Sequence, residues 1–353
     1  MRDMDSYDIA RLAGVSRKTV QRVLNNAASV KPATRDKILR VMEAHHYEPN
    51  SAARQLSARK TQTMGLFIVQ DASRYTLHSD DLFYGPVIGA LISRCAELGY
   101  NTLVTVVDLS NVDPLFSMYR QRSIDGGFIV SWSDMRPVVS RLREAGFRVG
   151  LFDEGFFREF PAEVPIPHLD NRQSAYEAAR YLLELGHRRI GILTGDMNNF
   201  TAQERLKGYE EAMAEQGVAL ESARVYYGQF TEEDGVRAVE KWLAEDALPE
   251  ALLCSNDLMA YGALKTLAGR GVAVPDDISV IGFDDLLVSQ YTHPPLTTMK
   301  VPRVEMAAHV ADRLVAAVEG REEPASEVFF ARLTERQTCA PPKRGEITNS
   351  IGH

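Results

Sequence analysis

The chain is predicted to hold a small all-α helix-turn-helix headpiece followed by a two-lobed α/β domain built on parallel sheets. Three observations predict this. Helical apolar spacing, in three short segments of which the first two are separated at a glycine, runs through the first 49 residues. Strand-like and helix-like segments alternate from residue 62 onward. Charge is also unevenly placed: the 353 residues carry a formal net charge of −8, yet residues 1–60 hold 12 Lys and Arg against 6 Asp and Glu. A basic head on an acidic body confines attraction for a polyanion to one end.

In the head, Ser6 is a candidate N-cap for a helix over residues 7–13, whose Ile9, Ala10 and Ala13 share one face. Gly14, able to take positive φ, ends that helix, and Ser16 can cap a second over residues 17–25. There Val20, Val23 and Leu24 turn toward a core. Arg17, Lys18, Gln21 and Arg22 are left outward, at the positions that enter a major groove. Pro32 suits the first turn of a third helix, in which Ile38, Val41 and Met42 complete the core before Tyr47 and Pro49 end it. A short αα-hairpin of an ordinary helical protein reads much the same.

Residues 50–61 form the connection to the body. The stretch 51–57 is two turns long, below the roughly 12 residues that an isolated helix needs in water, so it is expected to order only against a partner. At about 1 kcal/mol or more per residue, ordering two such hinges needs on the order of 10 kcal/mol from DNA contacts and from each other. That dependence makes a switch. A plain linker is the alternative.

In the body, strands are predicted at 64–69, 102–107, 127–130, 189–193, 251–254 and 278–283, with helices at 84–98, 174–185, 205–216 and 257–268. About 280 residues are many for one sheet, and two lobes with a ligand cleft at the carboxyl ends of their strands are the economical solution.

The composition narrows the function. Cys95, Cys254 and Cys339 are scattered and odd in number, so neither a disulfide framework nor a metal site is expected. No run approaches the roughly 18 apolar residues of a membrane span and no signal segment opens the chain, so a cytoplasmic protein without a membrane partner is expected. There is no Gly-rich phosphate loop, His-Glu-x-x-His or Gly-x-Ser-x-Gly motif. His187, in a helix-to-strand turn, reads as structural. No enzyme, catalytic residue or cofactor is expected.

The run Tyr-Asp-Ile-Ala-Arg-Leu-Ala-Gly-Val-Ser-Arg-Lys-Thr-Val-Gln-Arg-Val-Leu-Asn-Asn at 7–26 closely resembles the headpiece of the lac repressor and galactose repressor family, and Tyr-Glu-Pro-Asn-Ser-Ala-Ala-Arg-Gln-Leu at 47–56 resembles its hinge. In the body, Leu-Gly-His-Arg-Arg-Ile at 185–190, Ser-Asn-Asp at 255–257, Gly-Phe-Asp-Asp at 282–285 and Pro-Pro-Leu-Thr-Thr at 294–298 are similar to landmarks of the same family. The resemblance implies a body like that of periplasmic sugar-binding proteins, crossed three times by the chain, here near Phe160, Tyr291 and Gly320. Lobe 1 would then comprise 62–160 and 291–320, and lobe 2 would comprise 161–290 and 321–340, with 341–353 a flexible tail.

By the same resemblance, Arg17, Lys18 and Arg22 read base edges, favouring guanine O6 and N7. Ser16 stands at the head of the recognition helix, and Thr19, Asn25 and Arg35 hold phosphates. Ala53 packs near the bases and Leu56 wedges into a central base step. Two departures matter. Gln21 stands where most members carry Ser, and Lys31 replaces the usual capping Ser, which should weaken the third helix by roughly 1 kcal/mol.

In the cleft the resemblance assigns ligand contacts to Arg205 and Asp284, further polar contacts to Asp153 and Asn256, and a stacking platform to Phe230. Phe83 and Tyr84 line the mouth or belong to the core. A helix cap is the alternative role for Asp284 and Asn256. Carboxylate, guanidinium and amide groups around an aromatic ring suit a sugar, and a purine could use them too. The expectation is therefore a regulator binding a palindromic operator as a homodimer under control of a small effector, a sugar. One head buries too little DNA surface for tight binding, and the tail lacks leucine heptads for a tetramer. A nucleobase-responsive regulator, a solute-binding protein without DNA function and a catalytic α/β domain are the alternatives.

Overall fold

The computed structural model describes residues 4–24, 29–47, 60–71, 82–152, 155, 163–221 and 224–343. Helix α1 spans Ser6–Ala13, α2 Arg17–Leu24 and α3 Pro32–Ala44. Ile9, Ala10, Ala13, Val20, Val23, Ile38 and Met42 close one small core between them, and Leu24 and Val41 pack at its edge. Gly14 takes φ 63° and caps α1 in the left-handed region, as a residue without Cβ does cheaply. The N-cap of α1 is Asp5, one residue before the expected Ser6. Its carboxylate accepts from the Tyr7 and Asp8 amides, and Asp8 returns the bond in a capping box. A carboxylate there also meets the helix dipole, which a serine hydroxyl does not. Lys31 heads α3 without a side-chain cap, leaving Pro32 to start it.

The first lobe carries a parallel sheet, β1 Thr63–Gln70, β2 Asn101–Asp108, β3 Gly126–Ser131 and β4 Val149–Phe152, in the order β2-β1-β3-β4. Alternation along each strand divides the core in two. Leu66 and Phe128 face α4 (Tyr84–Glu97) and α11 (Arg303–Glu319), while Phe67 and Ile129 face α5 (Asp113–Arg120) and α6 (Arg136–Glu144).

The second lobe is built on β6 Ile190–Thr194, β7 Val225–Tyr227, β8 Ala251–Cys254, β9 Ser279–Asp284, β10 Thr297–Lys300 and β12 Arg332–Thr334, in the order β12-β10-β9-β8-β6-β7. β12 alone runs antiparallel to its neighbour among these described pairings. Helices α7 Asn171–Glu184 and α8 Phe200–Glu215 cover one face, α9 Glu232–Ala244 and α10 Asp257–Gly269 the other. Helices α5, α6, α9 and α11 add to the set that periodicity predicts.

The chain crosses between lobes at other points than expected. β5 (His168–Leu169) pairs with β11 (Val328–Phe329) as two adjacent crossings, so the return lies beyond Gly320, which only caps α11. β10 still belongs to the second sheet, which moves the remaining crossing from Tyr291 to Val301–Pro302 and returns residues 291–300 to lobe 2. Hydrogen bonding decides this: β10 has its partners on β9. Phe160 lies outside the described residues. The body also extends past 340, since Lys343 pairs with Asp277 at 2.8 Å.

Candidate ligand cleft and DNA-facing surface

A cleft opens between the lobes at the carboxyl ends of the strands. Phe83, Tyr84, Trp132 and Phe152 line it from lobe 1, and Asn199, Thr201, Arg205, Phe230, Asn256 and Asp284 from lobe 2. Six of the seven expected effector residues are thus brought to one cavity. Asp153 lies outside the described residues. Trp132, Phe152, Asn199 and Thr201 were not legible as lining: Phe152 ends a strand, Trp132 follows one, Asn199 and Thr201 stand at a helix start, and only the positions of both lobes bring them together.

Arg205 is 6% exposed and lies in the second turn of α8, which begins five residues earlier than periodicity suggests. Its Nε donates to Asn171 Oδ1 at 2.9 Å, its Nη1 donates to the Ser255 carbonyl, and its guanidinium lies 3.7 Å from the Phe283 ring centroid. The position therefore has a structural anchor as well as a face toward the cleft. Burying a guanidinium without such partners would cost several kcal/mol.

Asn256 is a helix cap and a cleft residue at once. Its Oδ1 accepts from the Met259 amide at 2.9 Å, while its Nδ2 donates to the Phe230 carbonyl at 2.9 Å. Phe230 needs that support, because it sits at φ 65°. Its ring lies on Gly195, where an added Cβ would fall 1.9 Å from ring carbon. Asp284 caps no helix. It ends β9 at φ 124°, and Asp285 follows at φ 55° with its carboxylate on Arg336 at 2.7 Å.

Asp257 fixes the turn that follows. Its carboxylate accepts from the Leu286 amide, the Ser289 hydroxyl and the Thr298 hydroxyl. Burial pushes this carboxyl up to about 6 against those donors. On the lobe 1 side, Tyr84 is 3% exposed, donates its hydroxyl to the Ser131 carbonyl at 3.2 Å, and packs edge-on against Phe83, Trp132 and Phe152. Tyr84 is therefore both core and wall. His187 bonds the Ala340 carbonyl at 2.9 Å, and burial pushes its imidazole down, which fits a tie for the chain end.

On the head, Arg17, Lys18 and Arg22 are exposed along α2, with Gln21 half-buried beside them. Arg17 lies 4.3 Å from the Tyr7 ring centroid and donates to the Tyr7 hydroxyl at 2.9 Å and to Ser6 Oγ at 3.2 Å. Tyr7 thus joins the outer surface, a role its place on α1 did not reveal. Ser16 Oγ accepts from the Thr19 amide at 3.2 Å and pairs with its hydroxyl at 2.9 Å, capping α2. Arg35 is half-buried in α3. Asn25, Ala53 and Leu56 lie outside the described residues. Among the described residues no group of acidic, His or Cys side chains could hold a metal, and no helix is long and apolar enough to cross a membrane.

A sequence model of the lacI family of bacterial regulatory proteins matches residues 7–50, and one of the periplasmic binding protein-like domain matches residues 179–339. The HTH-type transcriptional regulator AscG of Escherichia coli (strain K12) is 32% identical over 349 residues, 96% of this chain and 98% of AscG. The transcriptional regulator CelR in complex with cellobiose is 29% identical with a TM-score of 0.69, over 95% of this chain and 99% of CelR. The lac repressor dimer bound to operator and the anti-inducer ONPF is 25% identical with a TM-score of 0.75, over 96% of this chain and all of that one. An α2 with outward basic residues, a two-lobed body with a cleft and similarity over nearly the whole length converge, and the chain belongs to the lacI family of DNA-binding transcriptional regulators.

Proposed function

We propose that this regulator binds a palindromic operator as a homodimer in the cytoplasm, acts as a repressor, and is controlled by a small sugar held between its lobes. The cleft carries the reading. Arg205, Asn256 and Asp284 supply donors and acceptors for ring hydroxyls, while Phe230 offers an apolar platform to the C–H face of a pyranose. CelR, over 95% of this chain, binds cellobiose in its solved complex, which supports a carbohydrate in this cleft. Arg17, Lys18 and Arg22 are the residues proposed to read bases, with Ser16, Thr19, Gln21 and Arg35 beside them and Asn25, Ala53 and Leu56 completing the contact.

Selection of duplexes from random DNA, repeated across a panel of sugars and nucleobases, tests both halves. A palindrome whose affinity shifts with one sugar is expected. A shift with a nucleobase alone would replace the sugar, a reading favoured by the aromatic rings that both lobes present to the cleft. Bound ligand without any sequence preference would leave a solute-binding protein.

A further inference from the structure

Arg303 is the first residue of α11, a poor place for a cation, since helix dipoles gather partial positive charge there and disfavour it by a few tenths to about 1 kcal/mol. Its neighbours supply the reason for it. Nη1 donates to the Asp284 carbonyl at 2.9 Å and Nη2 to the Asp285 carbonyl at 3.1 Å, both in lobe 2. The same guanidinium lies 5.6 Å from the centroid of Phe83, in the lobe 1 wall. Asp284 and Asp285 both stand at positive φ, a conformation that persists only when surrounding bonds hold it. The Val301 amide adds a second donor to Asp284 O at 3.4 Å. One forked side chain, placed just past the crossing at Val301–Pro302, therefore holds an element of each cleft wall.

We propose that Arg303 is a positioning residue for the ligand site: it latches the Asp284 turn of lobe 2 to the Phe83 edge of lobe 1 and so sets how the cleft closes on its ligand. This rests on the reading of the cleft as the effector site. Arg303 acts through Asp284 and Phe83. The guanidinium fork matters because a lysine keeps the charge but cannot span two carbonyls in fixed geometry.

The test uses the full chain as wild type, Arg303→Met and Arg303→Lys. Calorimetric titration starts with cellobiose and continues through mono- and disaccharides, beside operator affinity and hydrogen exchange of sugar-free protein. Arg303→Met is expected to weaken sugar binding at least about tenfold while sugar-free operator affinity holds. Exchange should quicken at 284–288 and 299–304 but not in β6, and Arg303→Lys should recover part of each change. Unchanged sugar affinity and exchange would overturn the latch, as would faster exchange throughout, which marks a general structural role. If wild type takes up no sugar, the sugar reading fails by itself. Exchange then decides: local quickening in Arg303→Met that Arg303→Lys reverses sustains the latch, and no local change overturns it.

Discussion

Gly195 lacks a side chain because the Phe230 ring occupies the space one would need. Gly195→Ala must push that ring off the cleft wall, and a loss of ligand affinity with an unchanged circular-dichroism spectrum is expected. Retained affinity would show that Phe230 is no platform. Asp257 allows a second prediction. Its folded value of about 6 lies above the ordinary 3.8, so its contribution to stability is full below about pH 3.8 and is lost as pH rises through 6. Wild-type stability from urea titration should fall between about pH 4 and 6 and level off above that, a step that Asp257→Asn removes, and a step of equal size in the variant would refute the assignment. Arg205, Asn256 and Asp284 were legible as chemistry at this scale, and so was helix capping by Asn256, but the anchors of Arg205 were not. Asn171 and the Ser255 carbonyl reach Arg205 from distant chain positions that no local spacing announces.

Elements were read best where periodicity is strong and punctuated. Gly14 and Ser16 mark the turn between α1 and α2 because positive φ and a capping hydroxyl are local needs. Asp5 was missed for Ser6 because either can cap, and the competition is settled by the Asp8 amide and carboxylate that complete the box. Lys31 heads α3 without a cap, so Lys31→Ser should stabilise the headpiece by about 1 kcal/mol, seen as a higher thermal midpoint. Removing a cation from the DNA-facing domain should also lessen the salt dependence of DNA binding. A midpoint unchanged or lowered would mean that Pro32 already suffices. β10 was placed in the wrong lobe because its pairing with β9 is long-range, and an isolated four-residue strand carries no sign of its partner.

For the whole molecule, exposed apolar residues are where the proposed dimer interface can be tested. Val106 is 63% exposed on the edge strand β2, and Leu287 and Tyr291 are 66% and 68% exposed in lobe 2. If the proposed dimer uses these residues, Val106→Asp with Leu287→Asp yields monomers by sedimentation and weakens operator binding, since two headpieces would no longer be tied. A dimer that survives both changes places its interface elsewhere. Leu56→Gly belongs to the same scale: specific binding should fall far more than non-specific binding, and equal losses would remove the hinge from the mechanism.

The sequence by itself determined the order of head and two-lobed body, the outward basic helix, and most of the polar residues that line the cleft. These follow from periodicity, capping and motif chemistry, which act between residues close in the chain. Tertiary structure alone decided where the chain crosses between lobes, the aromatic wall of Trp132 and Phe152, the anchoring of Arg205, and the reach of Arg303 from one lobe to the other. Each depends on groups far apart in sequence meeting across a packed interface, and such meetings are fixed by strand pairing and side-chain packing that local propensity does not encode.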